Sequence, residues 1–559
     1  MSYKGGFVMS KDKITKKTLV ISLLLAMLVF GYGQEWIIRY QGPYGEDYAR
    51  GIEVDNLKNV YVTGSSQGTG AGYINDYATV KYDSLGAEQW VARYNGSPTR
   101  NWPDEAKAIA VDENGVYVTG YISYYIVDDS CDYCTIKYDK ATGETLWLRK
   151  YDGTANNCDQ ACAIVLDSAG NVYVTGKSKG VGTGFDFLTV KYGPDGVERW
   201  TARYNNPHGN SSDIAYALAV DESGNVYVTG ESYDLTTYYD CVTVKYDSSG
   251  GEQWVRRYSC EDDFSDEGNA IAVDDAGGNV YVTGRSVHSG TSWDYATLKY
   301  NSAGVQQWVR RYNSLGNDGD EPSGIALDNL GNVYVTGGSG IGGLFLTQYA
   351  TVKYTSGGTQ EWVKTYIGPA NLSAKARCIA VDNLDNIYVT GYDGDFDTTW
   401  DYVTIKYTPS GGEEWVARYS VPDGDDRAYA IAVDQDNYVY VTGSSESANG
   451  NPDYLTIKYP PSGIGVKEKP VSKSPMFRAY PNPFRERIKI ACNSSLDNSR
   501  KISLKVFDVN GCLVKQLEPF DRIFWDGTDD FGDRVLPGIY FIEVQSADYL
   551  QIIKATLAK

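Results

Sequence analysis

Apolar and polar positions alternate in short runs along most of the chain, and the runs recur. Between Ala270 and Tyr312 four of them follow one another: AIAVD (270–274), NVYVTG (279–284), DYATLKY (294–300) and WVRRY (308–312). Each is rich in Val, Ile, Tyr, Thr or Trp and is bounded by Gly, Asp, Asn or Ser, which are strand and turn signals. No run keeps a helical period. The string VYVTG, or a close variant, occurs eight times, ending at Gly64, Gly120, Gly176, Gly230, Gly284, Gly337, Gly391 and Gly443, at spacings of 56, 56, 54, 54, 53, 54 and 52 residues. Four short strands repeating at that interval predict the blade of a β-propeller. The first strand is the smallest and most apolar, which suits the crowded position nearest the axis; the Trp-bearing strand then lies outermost.

The ends of the array predict closure. A lone Trp strand, Trp36–Tyr40, comes first, and three strands without a fourth, 430–434, 438–443 and 453–459, come last. One plus three completes a blade, so the expectation is an all-β, eight-bladed propeller closed by one N-terminal and three C-terminal strands. An open array would expose sheet edges.

GNVYVTG, DYATVKYD and GxxxWVxRY together resemble the bacterial β-propeller repeat family often called SBBP, from Glu35 to Tyr459. That family is usually described with seven blades, so the count of eight departs from it. The resemblance implies a secreted or surface protein and no common catalytic site.

Outside the array, Lys11, Lys13, Lys16 and Lys17 precede an apolar run at 19–30, with Gly31 and Gly33 behind it. This predicts a signal peptide, residues 1–33, cleaved before Gln34. The apolar run is short for a membrane span. The propeller would occupy 34–459, a Pro/Gly/Ser/Lys-rich linker 460–475, and a small β-sandwich 476–559, with strands at 487–492, 503–508, 539–544 and 550–557. In that last module YPNPF (480–484), KVFDVNGCLVKQL (505–517), LPGIYFIEV (536–544) and the terminal IIKATLAK resemble a type IX secretion sorting domain. FWDGTDDFGDRVLPGIYF also resembles the immunoglobulin-like domain of flagellar hook-capping proteins. The resemblance implies export across the outer membrane, with the secretion machinery as a partner.

The net charge of −21 argues against nucleic acid and anionic membranes as partners. Eight of the 12 Trp hold one repeat position and are packing residues first. The nine cysteines sit in a chain expected outside the cell, so disulfides are allowed. Pairing Lys245 with Arg256 across the hairpin puts Cys241 opposite Cys260, a cross-strand disulfide. Cys131, Cys134, Cys158 and Cys162 would approach one another on one face. Two disulfides, free thiols or a zinc site are the alternatives, although the CxxC…CxxxC separation fits neither a finger nor a ribbon. Cys378 replaces a strand Ala and reads as a buried thiol; Cys492 and Cys512 could pair.

One acid recurs eight residues before each strand-ending Asp: Asp47, Asp104, Asp159, Asp213, Asp266, Asp320 and Asp426, with Ala374 breaking the series. It would form either an acidic ring at a channel mouth, binding a cation or a polyhydroxyl ligand, or a set of structural turns. The strand-ending acids, Asp55 to Asp434, read as turn residues. DGDFD (393–397) and DGTDD (526–530) lack the closing Glu of an EF-hand, so calcium is a minor option and no other cofactor is expected.

Catalytic signals are thin. His208 and His288 are the only histidines, and there is no G-x-S-x-G, Walker loop or HExxH. Repetition with few symmetry-breaking polar residues favours a non-enzymatic binding or scaffold module for a polysaccharide or a surface protein, expected as a monomer. Inserts such as 65–75 and 338–347 would carry specificity. The alternative is a polysaccharide-active or quinoprotein-like enzyme. Quinoprotein dehydrogenases use a quinone, calcium and a disulfide between adjacent cysteines, and this chain has no Cys-Cys pair.

Overall fold

In the computed structural model the described residues are 35–68, 74–96, 102–124, 131–155, 157–260, 265–274, 278–315, 317–342, 346–370, 372–394, 399–422, 424–447, 450–462, 477–480, 483–492, 503–509, 513–517, 523–546 and 549–558. The expected signal peptide and most of the linker lie outside them. The chain divides into two compact units, 1–467 and 468–559.

The first unit holds eight antiparallel four-stranded sheets. In the first sheet the order is Asp47–Val54, Val60–Gln67, Asn75–Tyr82, Glu88–Tyr94, and the next six follow the same plan. The eighth runs Asp426–Val433, Val439–Glu446, Pro452–Tyr459 and then Trp36–Tyr40, with Ile38 opposite Thr456. Both ends of the array therefore meet in one sheet. The inner strands pack on one another in sequence, Asp47–Val54 on Glu105–Asp112 and onward, and Asp426–Val433 packs in turn on Asp47–Val54.

The repeat residues explain the sheets. Seven inner strands carry a β-bulge, between Ala49 and Gly51 in the first sheet and between Ala215 and Ala217 in the fourth. There the inner strand crowds the glycine of VYVTG. A Cβ on Gly64 would overlap the carbonyl oxygen of Tyr48, and one on Gly230 that of Ile214. The preceding threonine pairs across the sheet, Thr63 with Thr79 at 2.9 Å. The strand-ending Asp closes the turn. Asp55 accepts from the backbone N–H of Leu57 and Asn59 and from the Tyr61 hydroxyl, each at 2.9 Å.

The core lies between sheets rather than within one. Tyr61, Tyr77 and Trp90 of the first sheet bury against Ala106, Ile109, Val116 and Val118 of the second. Trp36, Tyr440 and Tyr454 of the eighth bury in the same way against Ile52, Val60 and Val62 of the first. Each such aliphatic side chain is worth roughly 1.5–3 kcal/mol on burial. Polar latches fix the register between sheets. In every sheet a third-strand Lys donates to a turn carbonyl of the next sheet, from Lys81 to Lys140 at 2.7 Å through to Lys458 to Ser84 at 3.4 Å. Seven of the repeat tryptophans donate their indole N–H to the same carbonyl, as Trp90 does to Lys140 at 3.1 Å.

The second unit has two sheets. One is Phe477–Tyr480, Ile488–Cys492 and Ile523–Trp525; the other is Leu513–Leu517, Ser503–Phe507, Gly538–Ser546 and Tyr549–Leu557. Trp525, Ile488, Leu504, Val506, Ile542 and Val544 belong to their common core.

Candidate functional site

The repeated acids are not a solvent-facing ring. Asp47, Asp104, Asp159, Asp213, Asp266, Asp320 and Asp426 are all fully buried. Each accepts a backbone N–H of the loop that enters its own sheet: Asp47 from Gly42, Asp104 from Gly96, Asp159 from Gly153, Asp213 from Asn206, Asp266 from Cys260, Asp320 from Ser314 and Asp426 from Val421. A buried carboxylate needs donors, and each loop supplies one backbone N–H to one carboxylate oxygen. The gap at Ala374 is filled from the neighbouring strand. Ala374 pairs with Asp393 where Asp47 pairs with Ser66 and Asp426 with Ser445. Asp393 is buried and accepts from the Tyr366 hydroxyl at 2.9 Å and from Arg418 at 2.8 Å.

The cysteines also depart from expectation. The hairpin closes between Asp247 and Gly251, which sets Lys245 opposite Trp254 and Cys241 opposite Tyr258, two residues short of the expected pairing. Cys241 and Cys260 are not bonded, and the Cys260 thiol turns to the Val287 carbonyl at 2.7 Å. In the four-cysteine group a disulfide joins Cys131 to Cys158. Cys134 is a buried free thiol inside its strand, and the Cys162 thiol lies against the Ala215 carbonyl at 3.2 Å. Two of the four being consumed, the zinc arrangement does not form. Cys378 is a part-buried free thiol; Cys512 lies outside the described residues.

Of the calcium-like strings, Asp395 and Asp397 lie outside the described residues. Asp526 and Asp529 accept backbone N–H groups of their own turn. Among the described residues one cluster of carboxylates could share a cation: Asp132, Asp152 and Asp159, each with a carboxylate oxygen within 4.8 Å of the others'. Asp132 occupies a position that in six other sheets holds an Asp paired with an Arg, such as Asp186 with Arg203 and Asp294 with Arg311. In its own sheet that Arg is Lys150. Burial and the neighbouring carboxylates push Asp132 up to about 6.

The feature that breaks the repeat lies on the inner strands. The residue five before each strand-ending Asp is Arg50, Lys107, Cys162, Tyr216, Asn269, Ser323, Arg377 and Tyr429. In seven sheets it is the unpaired residue of the bulge. A bulge re-aims its side chain and is frequent beside functional sites. Here the side chains reach the next inner strand. Arg50 Nε donates to Glu105 at 2.8 Å, Ser323 Oγ to the Ala376 carbonyl at 2.9 Å, and Arg377 stacks over Tyr429, with its guanidinium carbon 5.9 Å from the ring centre. Tyr429 is also covered by Arg50 at 5.3 Å, which carries the series across the seam.

Charged residues beside the bulges extend this ring. Glu105 takes both Arg50 and Lys107; although burial opposes its ionisation, those cations hold it below the usual carboxylate range. Glu321 takes Lys375 at 2.6 Å and Arg285 at 3.3 Å. Glu231 is pushed up to about 7 by burial and by the charge of Glu267. On the inner strand itself Glu53 stands where the other seven have Ala or Val, and burial pushes it up to about 7. The sequence carried a signal for this ring: one variable position between small residues in a frame that otherwise repeats.

Four stretches, 35–70, 199–234, 307–344 and 414–451, match the SBBP beta-propeller repeat, and residues 478–557 match the secretion system C-terminal sorting domain. The chain thus carries β-propeller repeats and a type IX sorting tail, which directs export to the extracellular space or cell surface and implies contact with the type IX machinery. No curated protein matches the chain. Among solved structures it is similar to a catalytically inactive virginiamycin B lyase from Staphylococcus aureus with quinupristin (9% identity, 76% of this chain, 98% of that one, TM-score 0.37). It is also similar to Drosophila Plexin A in complex with Semaphorin 1b (10%, 66%, 86%, 0.36) and to the calcium-binding protein regucalcin from Agrobacterium tumefaciens (12%, 55%, 92%, 0.29). Likeness at this level says nothing of activity.

Proposed function

We propose that this is an exported, non-enzymatic binding protein: a closed eight-bladed propeller whose ring of bulge residues takes a polysaccharide or surface-protein ligand. Its C-terminal domain is an immunoglobulin-like sandwich read by the secretion machinery. The observation that carries the reading is the contrast within the repeat. Latch lysines, tryptophans, glycines and buried acids recur from sheet to sheet, whereas the bulge position runs through Arg, Lys, Cys, Tyr, Ser, Arg and Tyr. A purely structural position would be held as constant as its neighbours, and a symmetric frame presenting an asymmetric set of side chains is suited to recognition.

The test is retention of the exported chain on immobilised polysaccharides and on the surface proteins of the producing cell, with new reducing ends followed in the same samples. Retention that falls on Tyr429→Ala, without products, supports the reading. Products would replace it with an enzyme.

A further inference from the structure

We infer that the ring's ligand is an acidic polysaccharide, bound through its carboxylate or sulfate groups at the arc formed by the seventh, eighth and first sheets; this rests on the ring being the binding surface. Three guanidinium groups gather there, Arg377, Arg427 and Arg50. Each is stacked on aromatic rings. Arg50 and Arg377 share Tyr429, and Arg427 lies 5.6 Å from the centre of Tyr392 and 5.5 Å from that of Trp400. Stacking orders a guanidinium while leaving its N–H edge free for a bidentate anion.

The acids on this arc do not use up that capacity. Glu105 divides between Arg50 and Lys107, and Asp425 takes only one edge of Arg427, at 2.9 Å, leaving its buried Nε without a partner. Arg377 has neither an ion pair nor a hydrogen bond among the described residues, and Arg50 and Arg427 each keep about a third of their side chain in solvent. The arc of the fourth to sixth sheets is the more acidic: Glu231, Glu267 and Glu321 stand there against Arg285, and at its edge Glu321 also pairs with Lys375 of the seventh sheet.

The chain as a whole carries −21. A long polyanion would be repelled from most of such a surface and held only where cations outnumber acids. Flat aromatic faces and phenol hydroxyls interleaved with guanidinium groups suit a polymer whose units each offer an apolar ring face, hydroxyls and one anion. An acidic peptide offers the charge without the ring face.

The experiment uses the full exported chain and four probes: polygalacturonate, dextran sulfate, neutral dextran and poly-glutamate. Binding is followed by affinity electrophoresis at two salt concentrations. The expected result is salt-sensitive binding to polygalacturonate or dextran sulfate. Arg377→Ala and Arg427→Ala should each weaken it about tenfold, Arg377→Lys should weaken it less, and Asp195→Asn on the outer turn should leave it unchanged. Thermal melts of each variant check folding. Equal binding to poly-glutamate would assign the arc to an acidic protein and overturn the proposal. Binding to neutral dextran that is lost in Tyr429→Ala but kept in Arg377→Ala would overturn it and leave the ring reading standing. Binding unaffected by either variant, or no binding to any probe, would overturn it; indifference to both variants would remove the ring reading as well.

Discussion

The hydroxyl of Tyr454 donates to the carbonyl of Ala78, 376 residues earlier in the chain, at 3.2 Å. Tyr402 makes the same bond to Leu455 at 3.2 Å, and Tyr77 makes it to Cys134 at 3.1 Å, each between neighbouring sheets. The seam between the chain's two ends is therefore latched like an interior interface. Tyr454→Phe should cost about 1 kcal/mol, the net value of one buried hydrogen bond, and Tyr402→Phe should cost the same. Denaturant melts of the two variants check this. A seam that opens independently would show almost no cost at Tyr454. Phe187 holds the equivalent position in the third sheet, so loss of the hydroxyl is tolerated sterically.

Ala374 and Asp393 exchange the roles that Asp47 and Ser66 play in the first sheet. Asp393→Ser alone removes the buried acceptor of Tyr366 and Arg418 and should destabilise by about 2 kcal/mol or more. Adding Ala374→Asp returns a carboxylate from the other strand and should recover a large part of that loss. A double-mutant cycle on unfolding free energy measures the coupling; strictly additive costs would mean that the two positions do not substitute for one another.

Much of this frame was legible from alternation and period alone, because strands, turns and outer tryptophans recur in every sheet. The joining of Trp36–Tyr40 to the last three strands followed from counting. What period could not convey was direction. The period of the recurrent acid left a channel-facing ring and a structural turn as alternatives; Asp104 and its equivalents take the second, turning into their own loops, where backbone N–H groups need acceptors. Cys241 faces Tyr258 rather than Cys260 because the turn closes at Asp247–Gly251, earlier in the chain than that pairing requires, and the bulge at Lys245/Tyr246 recovers only one residue of the difference. The ring at Arg50, Arg377 and Tyr429 went unread because one varying position among small residues looks like drift until bulges aim it at the next sheet. In the C-terminal module four strands were recognised and the three short ones, such as Ile523–Trp525, were not.

The buried acids set a pH dependence. Burial pushes Asp47, Asp213 and Asp266 up to about 6 and Asp104 and Asp426 up to about 7. Between the unfolded carboxyl value and these values the folded state binds more protons, so stability falls as pH rises from about 4 to about 7. Thermal melts across that range should show a declining midpoint. The net charge of −21 adds repulsion in the same direction. Asp104→Asn separates the two causes: it should flatten part of the decline, and an unchanged slope would assign the decline to overall charge.

The most direct test of the account is hydrogen exchange on the full exported chain, with and without the polysaccharide or protein that retains it. New protection is predicted in the inner-strand segments around Arg50, Arg377 and Tyr429. Protection confined to the outer strands, such as Glu88–Tyr94 and Glu413–Tyr419, with the inner strands unchanged, would contradict it.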